Sequence, residues 1–196
     1  MAAKQSAGGG GAVRLQAGVP MPADAPRAEL TAITVTPAER ATATLSPRSL
    51  ATATAALQND GVVAIHGAVA LTHVEALATK MLADLDSFDA GPRGPFTGNH
   101  WQGVRPPPAH PYLYQDIVFN EQAIVILRAF LGEDIVLTAY GANTALAVAD
   151  EKLQRAHIDH GEPQPEGAPC RAVAIQVVLV DTTEDNGTAR LASQCR

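Results

Sequence analysis

Apolar positions recur along this chain with two periods, and the two periods divide it into helices and strands. In "LSPRSLATATAALQNDG" (45–61), Leu50 and Leu57 lie on one face of a helix, seven positions apart. Ser46 is placed to cap that helix and Pro47 suits its first turn. Asn59-Asp60-Gly61 ends it and turns the chain. "VVAIHG" (62–67) is a short, β-branched apolar run and predicts a strand. "LTHVEALATKMLADL" (71–85) predicts the clearest helix. Thr72 and Glu75 have capping-box spacing, and Val74, Leu77, Met81 and Leu85 make the buried stripe. "NEQAIVILRAFLGED" (120–134) predicts another helix, with Asn120 as cap, Ile124, Leu127 and Leu131 as inner face, and Gly132 as stop.

From there on the signals are mainly of strands: "IVLTAYGANTALAV", "QRAHIDH", "CRAVAIQVVLVD" and "GTARLA". "RAVAIQVVLVD" is nearly continuously apolar, as a strand covered on both faces would be. Helices first and strands afterwards predict an α+β fold, with N-terminal helices packed on an antiparallel sheet system. Residues 1–44, rich in Ala, Gly, Pro and Thr, read as a disordered tail, leaving 45–196 as the one domain. A proline- and glycine-bearing stretch over 86–111 excludes a long helix or central strand there. It carries the single tryptophan, Trp101, with His100 and His110. A loop of that length is either one wall of a site, with Trp101 as an aromatic surface for substrate, or a surface loop with Trp101 tucked beneath it.

Composition narrows the class. The chain is 46% hydrophobic and 17% charged, ordinary for a globular protein, and its net charge of -6 argues against a nucleic-acid binder. No apolar run reaches the roughly 18 residues of a membrane helix. "MAAKQSAGGGGAVRLQAGVP" lacks the continuous apolar core of a secretory signal, so a cytoplasmic location is expected. Two cysteines, Cys170 and Cys195, make no disulfide framework and are read as free thiols.

The candidate chemistry lies in "QRAHIDHG" (154–161). On a strand, residues two apart point to one face, so His157 and Asp159 present an imidazole and a carboxylate side by side. Both suit a borderline divalent metal such as Fe(II). His160 points to the other face and is read as a bystander. Taken alone, the pair is also what a strand with a polar edge presents.

Its setting carries more. The order "LQNDGVVAIHGAVALTHVEAL", "YQDIVFNEQAIVILRAFLG", "GANTAL", "QRAHIDHG", "VLVDTTEDNGTARL" resembles the phytanoyl-CoA dioxygenase-like family of non-haem iron, 2-oxoglutarate-dependent oxygenases, over roughly residues 50–191. The resemblance implies a double-stranded β-helix (a cupin-like jelly roll) carrying Fe(II) on a His-x-Asp pair and a distal histidine. The pair maps onto His157 and Asp159. It implies oxidative decarboxylation of 2-oxoglutarate with O2, coupled to hydroxylation of a small or lipid-like organic substrate. It also implies cosubstrate contacts from the strand before the metal pair, where Asn143 and Thr144 stand, with Gln154 a possible neighbour. Asn143 serves equally as a turn or strand-end residue.

The family pattern continues past "DNGTARL" to the distal histidine and an arginine that grips 2-oxoglutarate. Here "ASQCR" follows, and no histidine comes after His160. The resemblance therefore implies a partial domain lacking its C-terminal strands: a jelly roll needs about eight, and about five are read here. His66, His73, His100 and His110 are the available stand-ins for the third ligand. Two other readings stay open: a catalytically inactive remnant or regulatory module of the same lineage, and a cupin-like metal-binding or isomerase-type protein.

Overall fold

The computed structural model describes residues 29–87, 101–102, 104–142, 144–145 and 168–183. Helices and short strands alternate: β1 (Ala32–Thr34), α1 (Pro37–Ala41), α2 (Pro47–Asp60), β2 (Ala64–His66), α3 (Leu71–Ser87), β3 (Trp101–Gln102), α4 (Gln115–Val118), α5 (Glu121–Leu131) and β4 (Thr144–Ala145). The architecture is mixed helix and sheet. Strands β1 and β2 pair in parallel, Ile33 against Ile65, and β3 pairs with β4 antiparallel.

The fold starts earlier than the sequence pattern suggests. Residues 32–41, expected within the tail, carry β1 and α1. The Thr36 hydroxyl accepts the Glu39 amide at 3.2 Å, and the Glu39 carboxylate accepts the Thr36 amide at 2.9 Å. This is a capping box, with Pro37 in the first turn. Glu39 also accepts the Ser46 amide at 2.7 Å, tying the start of α1 to the start of α2. Residues 1–28 lie outside the described residues.

Helix α2 follows its local signals. The Ser46 hydroxyl accepts the Ser49 amide, Pro47 opens the first turn, and Gly61 closes the helix at φ 74°, in the left-handed region. Its inner face is Ala53, Ala56 and Leu57, and it lies against β1 and α5. Ile33, Ala53, Leu57 and Ile126 form the first core cluster, with Leu50, Val63, Ile65 and Phe130 around it.

Helix α5 is capped by Asn120 and ended at Gly132, as expected. Its buried face differs: Gln122, Ala123 and Ile126 are buried, whereas Ile124, Leu127 and Leu131 are only half-buried. "AIVIL" is apolar on every side, so periodicity alone does not choose a face. Ile126, 1% exposed, is the residue that fits against the small side chains of α2.

Helix α3 buries Leu77 and Met81, with Leu85 packed beside them, while Val74, the first member of the expected stripe, is half-buried and outside the cluster. Leu77, Met81, Val104 and Ile117 form the second cluster. Of the expected strands at 135–148 and 170–181, only Thr144–Ala145 is a strand among the described residues, and 170–181 forms none. Only over 140–142 and 177–180 does burial alternate with the period of a strand: Tyr140 and Ala142 are half-buried around exposed Gly141, and Val177 and Leu179 are half-buried beside exposed Val178 and Val180, whereas 136–139 and 174–176 are exposed. Among the described residues, only Thr144–Ala145 of these segments has a hydrogen-bonded strand partner. Tyr140, Ala142, Val177 and Leu179 pack on the second cluster, while Val136, Leu137, Ile175, Val178 and Val180 are exposed.

Two outcomes follow. Gly67 sits at φ +72°, and a Cβ there would stand 3.0 Å from the Val35 carbonyl, beside the 2.8 Å bond from the Val35 amide to His66. Gly67→Ala should lose about 1–3 kcal/mol in urea unfolding; unchanged stability would show that this backbone is free to move. Backbone amides of Thr36, then of Ser46, hold the Glu39 pKa below the ordinary glutamate value. A lowered folded pKa contributes stability that is present above the unfolded value, about 4.3, and is lost as pH falls through the folded value. Acid unfolding of wild type and Glu39→Gln should therefore diverge in pH dependence only below about pH 4.

Candidate functional site

The proposed metal pair, His157 and Asp159, lies outside the described residues, as do Gln154, Asn143, His100 and His160. Two other predicted contributors are described at the backbone level. Trp101 is in β3 and Thr144 is in β4, and the two strands pair, with Trp101 opposite Ala145 and Gln102 opposite Thr144. The segment read as a substrate wall thus runs beside the segment read as a cosubstrate wall.

Beyond the paired residues, Val104 follows β3 and Ala142 precedes β4 in the chain. Both belong to the second cluster, where Val104 is 3% exposed. Pro106 is buried and Tyr140 half-buried. Tyr140 packs on the same cluster, and its hydroxyl is buried with no hydrogen-bond partner among the described residues. Burial pushes its pKa above the usual tyrosine value.

The stand-in histidines fall apart in space or in role. His66 is exposed at the end of β2, and His110 is exposed ahead of a cis peptide bond to Pro111. His73 is engaged. Its Nδ1 lies 2.8 Å from Asp116 Oδ1, and its ring stacks on Tyr114 with centroids 4.2 Å apart. Asp116 Oδ2 accepts the Ala70 amide at 2.9 Å.

This group corrects the expected start of α3. The helix begins at Leu71, so Thr72 lies inside its first turn rather than ahead of it. The Ala70 carbonyl accepts the amides of His73 and Val74, and Ala70 has no side chain with which to cap. The carboxylate comes instead from α4, next to the positive end of the helix dipole. Asn120 completes the joint. Its amide donates to the Ala68 carbonyl at 3.1 Å and the Asp116 carbonyl at 2.8 Å, and its oxygen accepts the Ala123 amide at 2.9 Å. No local sequence signal marks Asp116 as a partner of α3, since the two are far apart in the chain.

On its outer side α3 lines an open depression with Thr72, Glu75, Thr79, Lys80 and Tyr112. Lys80 pairs with Asp84 and stands 5.8 Å from the centre of the Tyr112 ring. No buried polar group converges there among the described residues. Also among the described residues, no group of three or more His, Cys, Asp or Glu is placed to hold a metal ion, and no helix is long and apolar enough to cross a membrane. Cys170 is a free thiol, and Cys195 lies outside the described residues. No protein-family model matches the chain.

Asp116→Ala removes both the helix cap and the partner of His73. It should lower stability by about 1–3 kcal/mol, most of it from the cap, because His73 and Asp116 are 39% and 24% exposed and their pairing is screened. Asp116→Asn, which still offers an oxygen to the Ala70 amide, should lose less. Equal urea midpoints for wild type and Asp116→Ala would rule out the cap.

Proposed function

We propose that this chain carries the plan of an Fe(II)- and 2-oxoglutarate-dependent dioxygenase of the phytanoyl-CoA dioxygenase-like type, a hydroxylase of a small or lipid-like organic substrate. The observation that carries the reading is the ordered series of motifs around His157-Ile158-Asp159, from "LQNDGVVAIHGAVALTHVEAL" to "VLVDTTEDNGTARL". The fold that this reading calls for is a jelly roll over which α2, α3 and α5 are packed.

The donor set suits the metal. A neutral imidazole nitrogen and a carboxylate oxygen are two of the three ligands of the facial arrangement that non-haem Fe(II) takes, and that arrangement leaves open positions for cosubstrate. When bound, Fe(II) with O2 supplies the oxidising chemistry that converts 2-oxoglutarate to succinate and CO2. The protein's part is to hold and orient. His157 and Asp159 are the proposed ligands, Asn143, Thr144 and Gln154 the proposed polar contacts to 2-oxoglutarate, and Trp101 the proposed apolar surface for substrate. The pairing of β3 with β4 supports the grouping of Trp101 and Thr144 in one region.

The alternative is an inactive or regulatory member of the same lineage. One experiment separates them. Anaerobic titration of the purified chain with Fe(II) and 2-oxoglutarate should raise the weak visible charge-transfer band of the chelate. On admission of O2, succinate should form, and both signals should vanish in His157→Ala. A chain that gives neither band nor succinate is not a dioxygenase.

A further inference from the structure

The run "RAVAIQVVLVD" has the pattern of a strand covered on both faces, and the second cluster covers only one. Val177 and Leu179 pack on that cluster, and Val173 is half-buried. Ala174 and Gln176 are exposed, as are Ile175 at 46% and Val178 at 57%. Among the described residues the run forms no strand, and the main chain of 173–179 bonds to no other main chain. Between Arg171 and Asp181 it holds no charge, proline or glycine. An exposed run of this kind, rich in β-branched residues, is a template for a further strand.

Two features select that strand. The first is charge. Arg171 precedes the run and Asp181 follows it. An identical copy laid antiparallel brings opposite charges to both ends, whereas a parallel copy brings like charges together. The second is shape. Turned about Gln176, the run meets itself with Val173 beside Leu179, Ala174 beside Val178, and Ile175 beside Val177. On the exposed face a small side chain then stands beside a large one. Gln176 meets its own copy, and its amide can both donate and accept. The bend at Val180 ends the run.

We propose that residues 173–179 form an interface between two copies of this chain, paired antiparallel about a two-fold axis at Gln176. Main-chain hydrogen bonds supply the attraction, and the partner's Val178 shelters the exposed Ala174. Such a contact uses the same surface on both copies and closes at a dimer. It depends on neither the metal nor the cosubstrate proposed above.

Sedimentation of the full chain over a range of concentrations tests this. The average mass should rise from that of one chain towards that of two. Gln176 is exposed, so Gln176→Lys and Gln176→Glu should melt at the wild-type temperature. Each variant sets two like charges face to face at the axis and should sediment as a monomer where wild type is a dimer. An equimolar mixture of the two variants should recover the dimer, because a lysine then faces a glutamate. That recovery requires position 176 to meet position 176, and a change in the fold of either variant would not produce it. Wild type that stays monomeric at every concentration, or that grows into open-ended assemblies, would overturn the proposal. So would a dimer that persists in both variants, or a mixture that stays monomeric.

Discussion

The fold turns on one buried side chain amide. Asn120 is 4% exposed, and its three hydrogen bonds run to three different pieces of backbone: the first turn of α5, the peptide of Asp116 in α4, and the carbonyl of Ala68 ahead of α3. Each is a backbone group that would otherwise be left in an apolar setting. Asp116, held in this way, extends its carboxylate to the Ala70 amide and to His73. The joint lies between the cluster around Ile126 and the cluster around Leu77, and fixes how α3 departs from the β1–β2 unit.

Other long-range polar contacts repeat the theme of side chains securing backbone. Gln122, 3% exposed, donates to the Glu39 carbonyl at 3.0 Å, and Arg40 donates to the Gly67 carbonyl at 3.0 Å. Thus α1, a helix of five residues, is held from both sides. Its own capping box would not keep so short a helix formed in water, where nucleation dominates.

Local signals were readable in the sequence. Ser46-Pro47, Gly61, Asn120 and Gly132 mark the ends of α2 and α5 because caps and stops act within one turn. Thr36-Pro37-Ala38-Glu39 carries the same kind of signal, and it was obscured by the Ala-, Thr- and Pro-rich composition around it. Contacts set by partners distant in sequence were not readable. The face of α5 depends on the shape of α2, and the start of α3 on a carboxylate from α4. The segments read as strands at 135–148 and 170–181 alternate in burial only at 140–142 and 177–180, because pairing depends on what lies alongside. Of the candidate site, the sequence pattern of His157 and Asp159 stands as a proposal, and the adjacency of the Trp101 and Thr144 segments came from the structure.

The stretch "ATATAA" (51–56) has the look of low complexity, yet two of its alanines are among the most enclosed residues of the chain, Ala53 at 0% and Ala56 at 4%. Ala53 is in the cluster with Ile126, against which Phe130 of α5 also packs. A single methyl group at Ala53 is therefore a spacer: it sets how near two helices approach, and α5 in turn leads into the segment that ends at β4. Compositional bias and geometric constraint coincide here. A change that would pass for neutral in a repetitive stretch, alanine to valine or threonine, would be felt as a displacement at the far end of α5.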